Sequence, residues 1–277
     1  MRAEDTPHEH SHEHSHEHSD DHSHEHSHEQ HGHSHDHGSH GHDHSHGHAH
    51  EAEGPRDPRD VELEAFVARV GAELADRDPN AIARRAGVEH DAEDGNYAIR
   101  VYGKMFAVRH PTLETHEASV DHHVGALWLR VLLAHYLRTS DGTPLAGQWV
   151  TLRDLPGGLM YERAFQGYSG DELARSFGPD FGMLRELGPR YGAKPLDLGD
   201  LGLRFDVLPR VPIAVVCNAG DEEFPASARL LFDAASAHYL PIDALATLGG
   251  RLTRLLLQAA GISLETAKPI TPGWLGR

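Results

Sequence analysis

The chain is poor in cysteine, in basic charge and in long apolar runs. A single cysteine, Cys217, among 277 residues excludes an internal disulfide and a cysteine-ligated iron–sulfur cluster. Lysine and arginine number 25 against 43 aspartates and glutamates, a formal net charge of −18. So acidic a chain lacks the cations that neutralise nucleic-acid phosphates, and it gives no reason to expect an anionic membrane surface as partner. No apolar run approaches the roughly 18 residues that span a bilayer, and no basic region followed by an apolar one marks a signal peptide. The expectation is a soluble, cytoplasmic protein. Four motifs are also missing from residues 61–277: the phosphate loop G-x-x-x-x-G-K-[ST], G-x-G-x-x-G, H-E-x-x-H and G-x-S-x-G. Their absence argues against an enzyme without excluding one.

What is present is unevenly placed. The first 60 residues hold 15 acidic and 3 basic residues and 20 of the 27 histidines. Between Pro7 and His50 there is no Leu, Ile, Val, Phe, Tyr, Trp or Met. Such a segment cannot bury enough apolar surface to offset the entropy of ordering it, so it is expected to be disordered. EGPRDPRD, residues 53–60, then reads as a linker. The expected division is a tail over 1–60 and one domain over 61–277, long enough for a sizeable core.

The tail histidines are His8, His10, His12, His14, His16, His18, His22, His24, His26, His28, His31, His33, His35, His37, His40, His42, His44, His46, His48 and His50. Most stand two apart, with Ser, Glu, Asp or Gly between. In an extended chain such positions point the same way, and in a helical turn positions four apart meet on one face. Either geometry lets two to four imidazoles close around a cation. Neutral imidazole suits nickel, cobalt, zinc and copper, and neighbouring carboxylates offset the metal's charge. The sites would be numerous, exposed and interchangeable, with several ions held loosely and released on modest acidification. The alternative is a solvated tract without function. In composition the tail is similar to those of nickel-insertion accessory proteins and zinc carriers, although the phosphate loop of the nickel-insertion GTPases is missing.

The domain shows helical and strand periods in turn. VELEAFVARVGAELADRD spaces Leu63, Phe66, Val67, Val70 and Leu74 as a helix. DPNAIARRAG reads as a short helix capped by Asp78 and stopped at Gly87. YAIRVYGKMFAVRH alternates about Gly103-Lys104, a hairpin turn. SVDHHVGALWLRVLLAHYLRTS is an apolar helix, with Val120, Val124, Leu127, Trp128, Val131, Leu132, His135 and Tyr136 on one broad face. GQWVTLRDL is a strand, and YERAFQGYSGDELARSFG and PDFGMLRELG are short helices. LGLRFDVL, VPIAVVCN and ARLLFDA are strands whose links are too short for a helical crossover, hence antiparallel neighbours. PIDALATLGGRLTRLLLQAAG closes the chain as a helix. The fold expected is α+β, an antiparallel sheet with packed helices.

LPRVPIAVVCNAGDEEFPASARLLFDAASAHYL, residues 208–240, and GQWVTLRDLPGGLMYERAF, residues 147–165, resemble the bacterial and archaeal family of domain of unknown function 3786. The resemblance covers about residues 79–259. Some members carry an N-terminal cysteine-rich iron–sulfur segment. A His-rich tail stands in that place here, so the resemblance implies no electron-transfer role and no settled activity.

Candidate chemistry in the domain is read from the residues. Asp221, Glu222 and Glu223 crowd one loop, held either by a cation or ligand or by backbone amides and arginines. Asp233 ends a strand, where it caps the next turn or orients His238 as a base or ligand. The loop and Asp233 would stand at opposite ends of one strand, which weighs against a shared site. His116, His122, His123 and Asp121 form a weak metal cluster or a plain surface group. His135 reads as a core histidine, Cys217 as inert packing, and Pro156-Gly157-Gly158 as a tight turn or a close approach to a ligand.

Three functions follow. The first is a metal-binding accessory protein that supplies nickel, cobalt or zinc to a metalloenzyme, transport or cofactor partner. The second is an enzyme or small-molecule binder using Asp221, Glu222, Glu223, Asp233 and His238, with the tail incidental. The third is a non-catalytic interaction domain. No cofactor is expected in the domain itself.

Overall fold

The computed structural model describes residues 57–118, 126–178 and 180–262. Helices α1, Pro58–Ala75, and α2, Pro79–Ala86, begin alike. Asp57 accepts from the Arg59 amide at 2.9 Å with Pro58 in the first turn, and Asp78 accepts from the Asn80 amide at 3.0 Å with Pro79 in the same place. Proline suits that position because its missing N–H would have no helical partner. Residues 57–60, read above as linker, are therefore the cap and first turn of α1. Gly87 stops α2 with a left-handed φ of 68°.

A four-stranded antiparallel meander follows: β1 Glu89–Asp91, β2 Asn96–Val101, β3 Lys104–Arg109 and β4 Thr115–Glu117. Tyr97, Ile99 and Val101 face inward along β2, the alternation expected of a half-buried strand. The β2–β3 turn is Tyr102-Gly103, with φ of 46° and 82°, one residue earlier than expected. Two positive φ values match the twist of a hairpin, but tyrosine adopts one only at a cost of roughly 1–3 kcal/mol. Helix α3, Leu127–Thr139, packs on α1 and is buried at every residue from Val131 to Leu137, so it is enclosed rather than one-sided. Val120 and Val124 lie outside the described residues.

A second sheet holds β5 Trp149–Thr151, β6 Lys194–Leu196, β7 Leu201–Leu208, β8 Val211–Asn218 and β9 Ser227–Asp233. Its order is β5-β9-β8-β7-β6 and every neighbouring pair is antiparallel. Central β8 is buried on both faces from Val211 to Val215, which explains its unbroken apolar sequence. The edge strands β5 and β6 have three residues each, with Pro195 in β6. Helices α4 Glu162–Tyr168, α5 Gly170–Phe177 and α6 Gly182–Leu187 come between β5 and β6, and α7, Ile242–Ala259, closes the domain. Phe165 of α4 lies 5.7 Å from Phe232 of β9, ring to ring. A Cβ on Gly249 would stand 2.7 Å from the Phe165 ring, so a side chain there would hold α7 away.

The fold is α+β, with two sheets where one was expected. They meet at Tyr102, whose amide donates to the Val207 carbonyl of β7 at 3.1 Å and whose hydroxyl donates to the Leu248 carbonyl of α7 at 2.8 Å. Alternation within a strand says nothing about which sheet it joins. Among the described residues no helix is long and apolar enough to cross a membrane.

Candidate functional site

The acidic loop closes on itself. Asp221 Oδ1 accepts from the amides of Glu223 at 2.8 Å and Phe224 at 2.7 Å, while the Asp221 amide donates to the Phe224 carbonyl at 2.9 Å. The Phe224 bond first, then the Glu223 bond, holds the carboxyl below its ordinary value. Backbone amides thus accompany Asp221, and Glu222 and Glu223 are exposed. No group of His, Cys, Asp and Glu able to hold a metal occurs among the described residues.

Asp233 stands at the other end of β9, about 20 Å away at the rise of a seven-residue strand. It is 2% exposed, and its carboxylate accepts three backbone bonds. Oδ1 takes Ala146 N at 2.9 Å and Ala235 N at 2.9 Å, and Oδ2 takes Gly147 N at 2.8 Å. The cap expected after β9 is there, and the same carboxylate pins the loop before β5. Asp233 does not orient His238. The His238 ring bonds instead to Asp141, Nδ1 to Oδ2 at 2.7 Å, with Thr143 Oγ1 at 3.3 Å. Asp141 also accepts from Thr143 N at 2.8 Å, and bonds from Thr143 and then His238 hold its carboxyl at about 2. Asp141 and His238 stand 97 positions apart in the sequence. The proposed grouping of Asp221, Glu222, Glu223, Asp233 and His238 is not assembled, because these residues occupy separate places.

Other readings resolve simply. Cys217 is buried in β8, and burial pushes its thiol up to about 12, which leaves it inert. His135 stacks on Phe66 at 4.4 Å, and burial, with Arg138 and Arg69 nearby, lowers its pKa to about 4. Gly157 has φ of 80° and a Cβ on Gly158 would collide with the Leu152 carbonyl, so Pro156-Gly157-Gly158 is a tight turn. His116 is exposed on β4. Asp121, His122, His123 and the tail from His8 to His50 lie outside the described residues.

The sequence reading missed a cleft of about 640 Å³ between the β2–β3 turn, the start of α3, the 3₁₀ turn Gly188–Tyr191 that leads into β6, and the end of α7. Two five-residue segments face each other across it, Arg100-Val101-Tyr102-Gly103-Lys104 and Arg190-Tyr191-Gly192-Ala193-Lys194. Each begins with Arg, ends with Lys and turns at a Tyr-Gly pair. A Cβ on Gly103 would lie 3.6 Å from the Tyr191 carbonyl, so the turns meet backbone to backbone. Phe106 and Trp128 add apolar wall, and Arg251 lies 3.6 Å above the Trp128 ring. Among the described residues the one acidic group lining the cleft is Asp206. Burial opposes its charge, but Lys194 at 2.7 Å and Arg204 at 2.8 Å hold its carboxyl below the ordinary value. Lys104 pairs with Glu117 at 3.0 Å and Arg100 donates to the Gly103 carbonyl at 2.9 Å. Arg190 is exposed and makes no ion pair or hydrogen bond among the described residues.

The family model described as Domain of unknown function (DUF3786) matches residues 78–255, well over half of the chain. The chain belongs to the DUF3786 family. No curated protein and no solved structure matches it. The DUF3786 match runs from the Asp78 cap of α2 to Leu255, which lines the cleft. It therefore contains both Arg-to-Lys segments, Asp141, Asp233 and His238, while α1 and the His-rich tail stand outside it.

Proposed function

We propose that this DUF3786 protein is a cytoplasmic metal-binding accessory protein. Its tail gathers nickel, cobalt or zinc and keeps it at hand for a metalloenzyme or metal-transport partner, and neither nucleic acid nor a membrane is that partner. The supporting observation is the tail itself, with 20 histidines by His50, most of them two apart among Ser, Glu, Asp and Gly. Equilibrium dialysis of the full chain against nickel and zinc tests this, beside a full-length variant with the tail histidines replaced by serine. Several ions per chain should be lost in the variant. Equal stoichiometry in the two proteins overturns the proposal.

A second reading concerns the folded domain. The cleft supports a small-molecule binder, because about 640 Å³ lies within the range of ligand sites, roughly 300–1,000 Å³. The two readings are compatible, since tail and cleft draw on different residues.

A further inference from the structure

The cleft is positive in a chain that is strongly negative. Among the described residues four cations line it, Arg100, Lys104, Arg190 and Lys194, against one carboxylate, Asp206. That carboxylate has both oxygens engaged by Lys194 and Arg204. The whole chain carries −18, so composition alone would not gather like charges here. Cations held together in a concave, partly apolar site repel one another, and an anion relieves that repulsion. Arg190 is the group left to meet it, since Arg100 is spent on the Gly103 carbonyl, Lys104 on Glu117 and Lys194 on Asp206. Aromatic surface is part of the same wall, and Trp128 is held from one side by the Arg251 guanidinium. Flat aromatic wall suits a flat ligand, as charge suits an anion.

We propose that the cleft between the Arg100–Lys104 and Arg190–Lys194 segments binds a small anion that carries a planar ring, with Arg190 as the principal charge contact and Trp128 as apolar wall. This rests on reading the cleft as a ligand site. It adds the chemical class: a ring joined to a phosphate, sulfonate or carboxylate group.

A matched pair of probes tests it on the full chain, in the presence of a chelator that strips the tail of metal. One is 8-anilinonaphthalene-1-sulfonate, and the other is N-phenyl-1-naphthylamine, which has the same rings and no sulfonate. The sulfonate should bind saturably at one per chain, and millimolar pyrophosphate should weaken it. Arg190→Ala should raise its dissociation constant about tenfold, the effect of losing one charge-assisted contact. The same substitution should leave the naphthylamine unchanged. Trp128→Ala should weaken both probes. Arg190 makes no internal bond among the described residues, so its variant should keep the wild-type circular dichroism and melting temperature. If both probes bind equally and Arg190→Ala changes neither, the anion claim falls while the ligand site stands. If no cleft substitution affects either probe, the reading of the cleft as a ligand site falls with it.

Discussion

The Tyr102 amide donates to the Val207 carbonyl at 3.1 Å, and this bond joins the meander to the second sheet. The side chain of the same residue reaches α7 through its hydroxyl on Leu248. Tyr102 thus holds both the fold and one rim of the cleft. Tyr102→Phe keeps the ring and the amide and loses only the hydroxyl bond. It should lower unfolding free energy in urea by about 1 kcal/mol. Tyr102→Gly removes the backbone strain but also the partly buried ring, and should be the less stable of the two.

Asp233 should behave as a structural residue. Asp233→Ala leaves three backbone N–H groups without their acceptor, that of buried Ala235 and those of exposed Ala146 and Gly147, and should cost about 2 kcal/mol. Asp233→Asn preserves shape and one acceptor oxygen and should cost less. Chemical denaturation measures both, and metal stoichiometry should not change in either variant.

His135 should make stability depend on pH. Its folded pKa, about 4, lies below the unfolded value near 6.5, so the unfolded chain takes up a proton first. The resulting stability is full above about pH 6.5 and is lost as pH falls toward 4. The loss should be on the order of 3 kcal/mol, since each unit of pKa difference corresponds to about 1.4 kcal/mol. His135→Phe should flatten that part of the profile. Comparing urea midpoints of the two proteins from pH 7 to pH 4 isolates the contribution, because the other histidines are common to both.

Asp141 and His238 should separate under mutation. The Asp141 carboxyl sits at about 2 chiefly through bonds from Thr143, with His238 contributing after them. In His238→Ala, an NMR titration should find the carboxyl raised but still below its ordinary value. Thr143→Ala removes a hydroxyl bond that lowers the carboxyl more than His238 does, and should raise it further. Stability from this carboxylate is present above the unfolded value near 3.9 and is lost as pH falls toward 2.

Legibility in the sequence followed chain distance. Helix α2 could be read because Asp78, Pro79 and Gly87 signal within ten residues. Strands β7, β8 and β9 could be read because each is an apolar run and Pro209-Arg210 leaves room only for a hairpin. The His238 partner could not, since Asp141 is 97 positions away, whereas the plausible but mistaken Asp233 is only five positions away. The cleft depends on two segments 90 positions apart, Arg100 to Arg190, and their shared Arg, Tyr-Gly and Lys pattern gains meaning only once the fold sets them face to face. The helix start at Pro58 was masked by composition, because an Asp-Pro pair serves a linker and a helix cap equally well.

The short edges of the second sheet have a consequence for the protein at high concentration. Three long strands, β7, β8 and β9, carry most of its apolar sequence, and each is flanked on both sides. The outermost strands offer only three residues apiece, and Pro195 removes one amide from β6. A second molecule thus finds little backbone on which to add a strand, so stacking into aggregates is discouraged at the edges themselves.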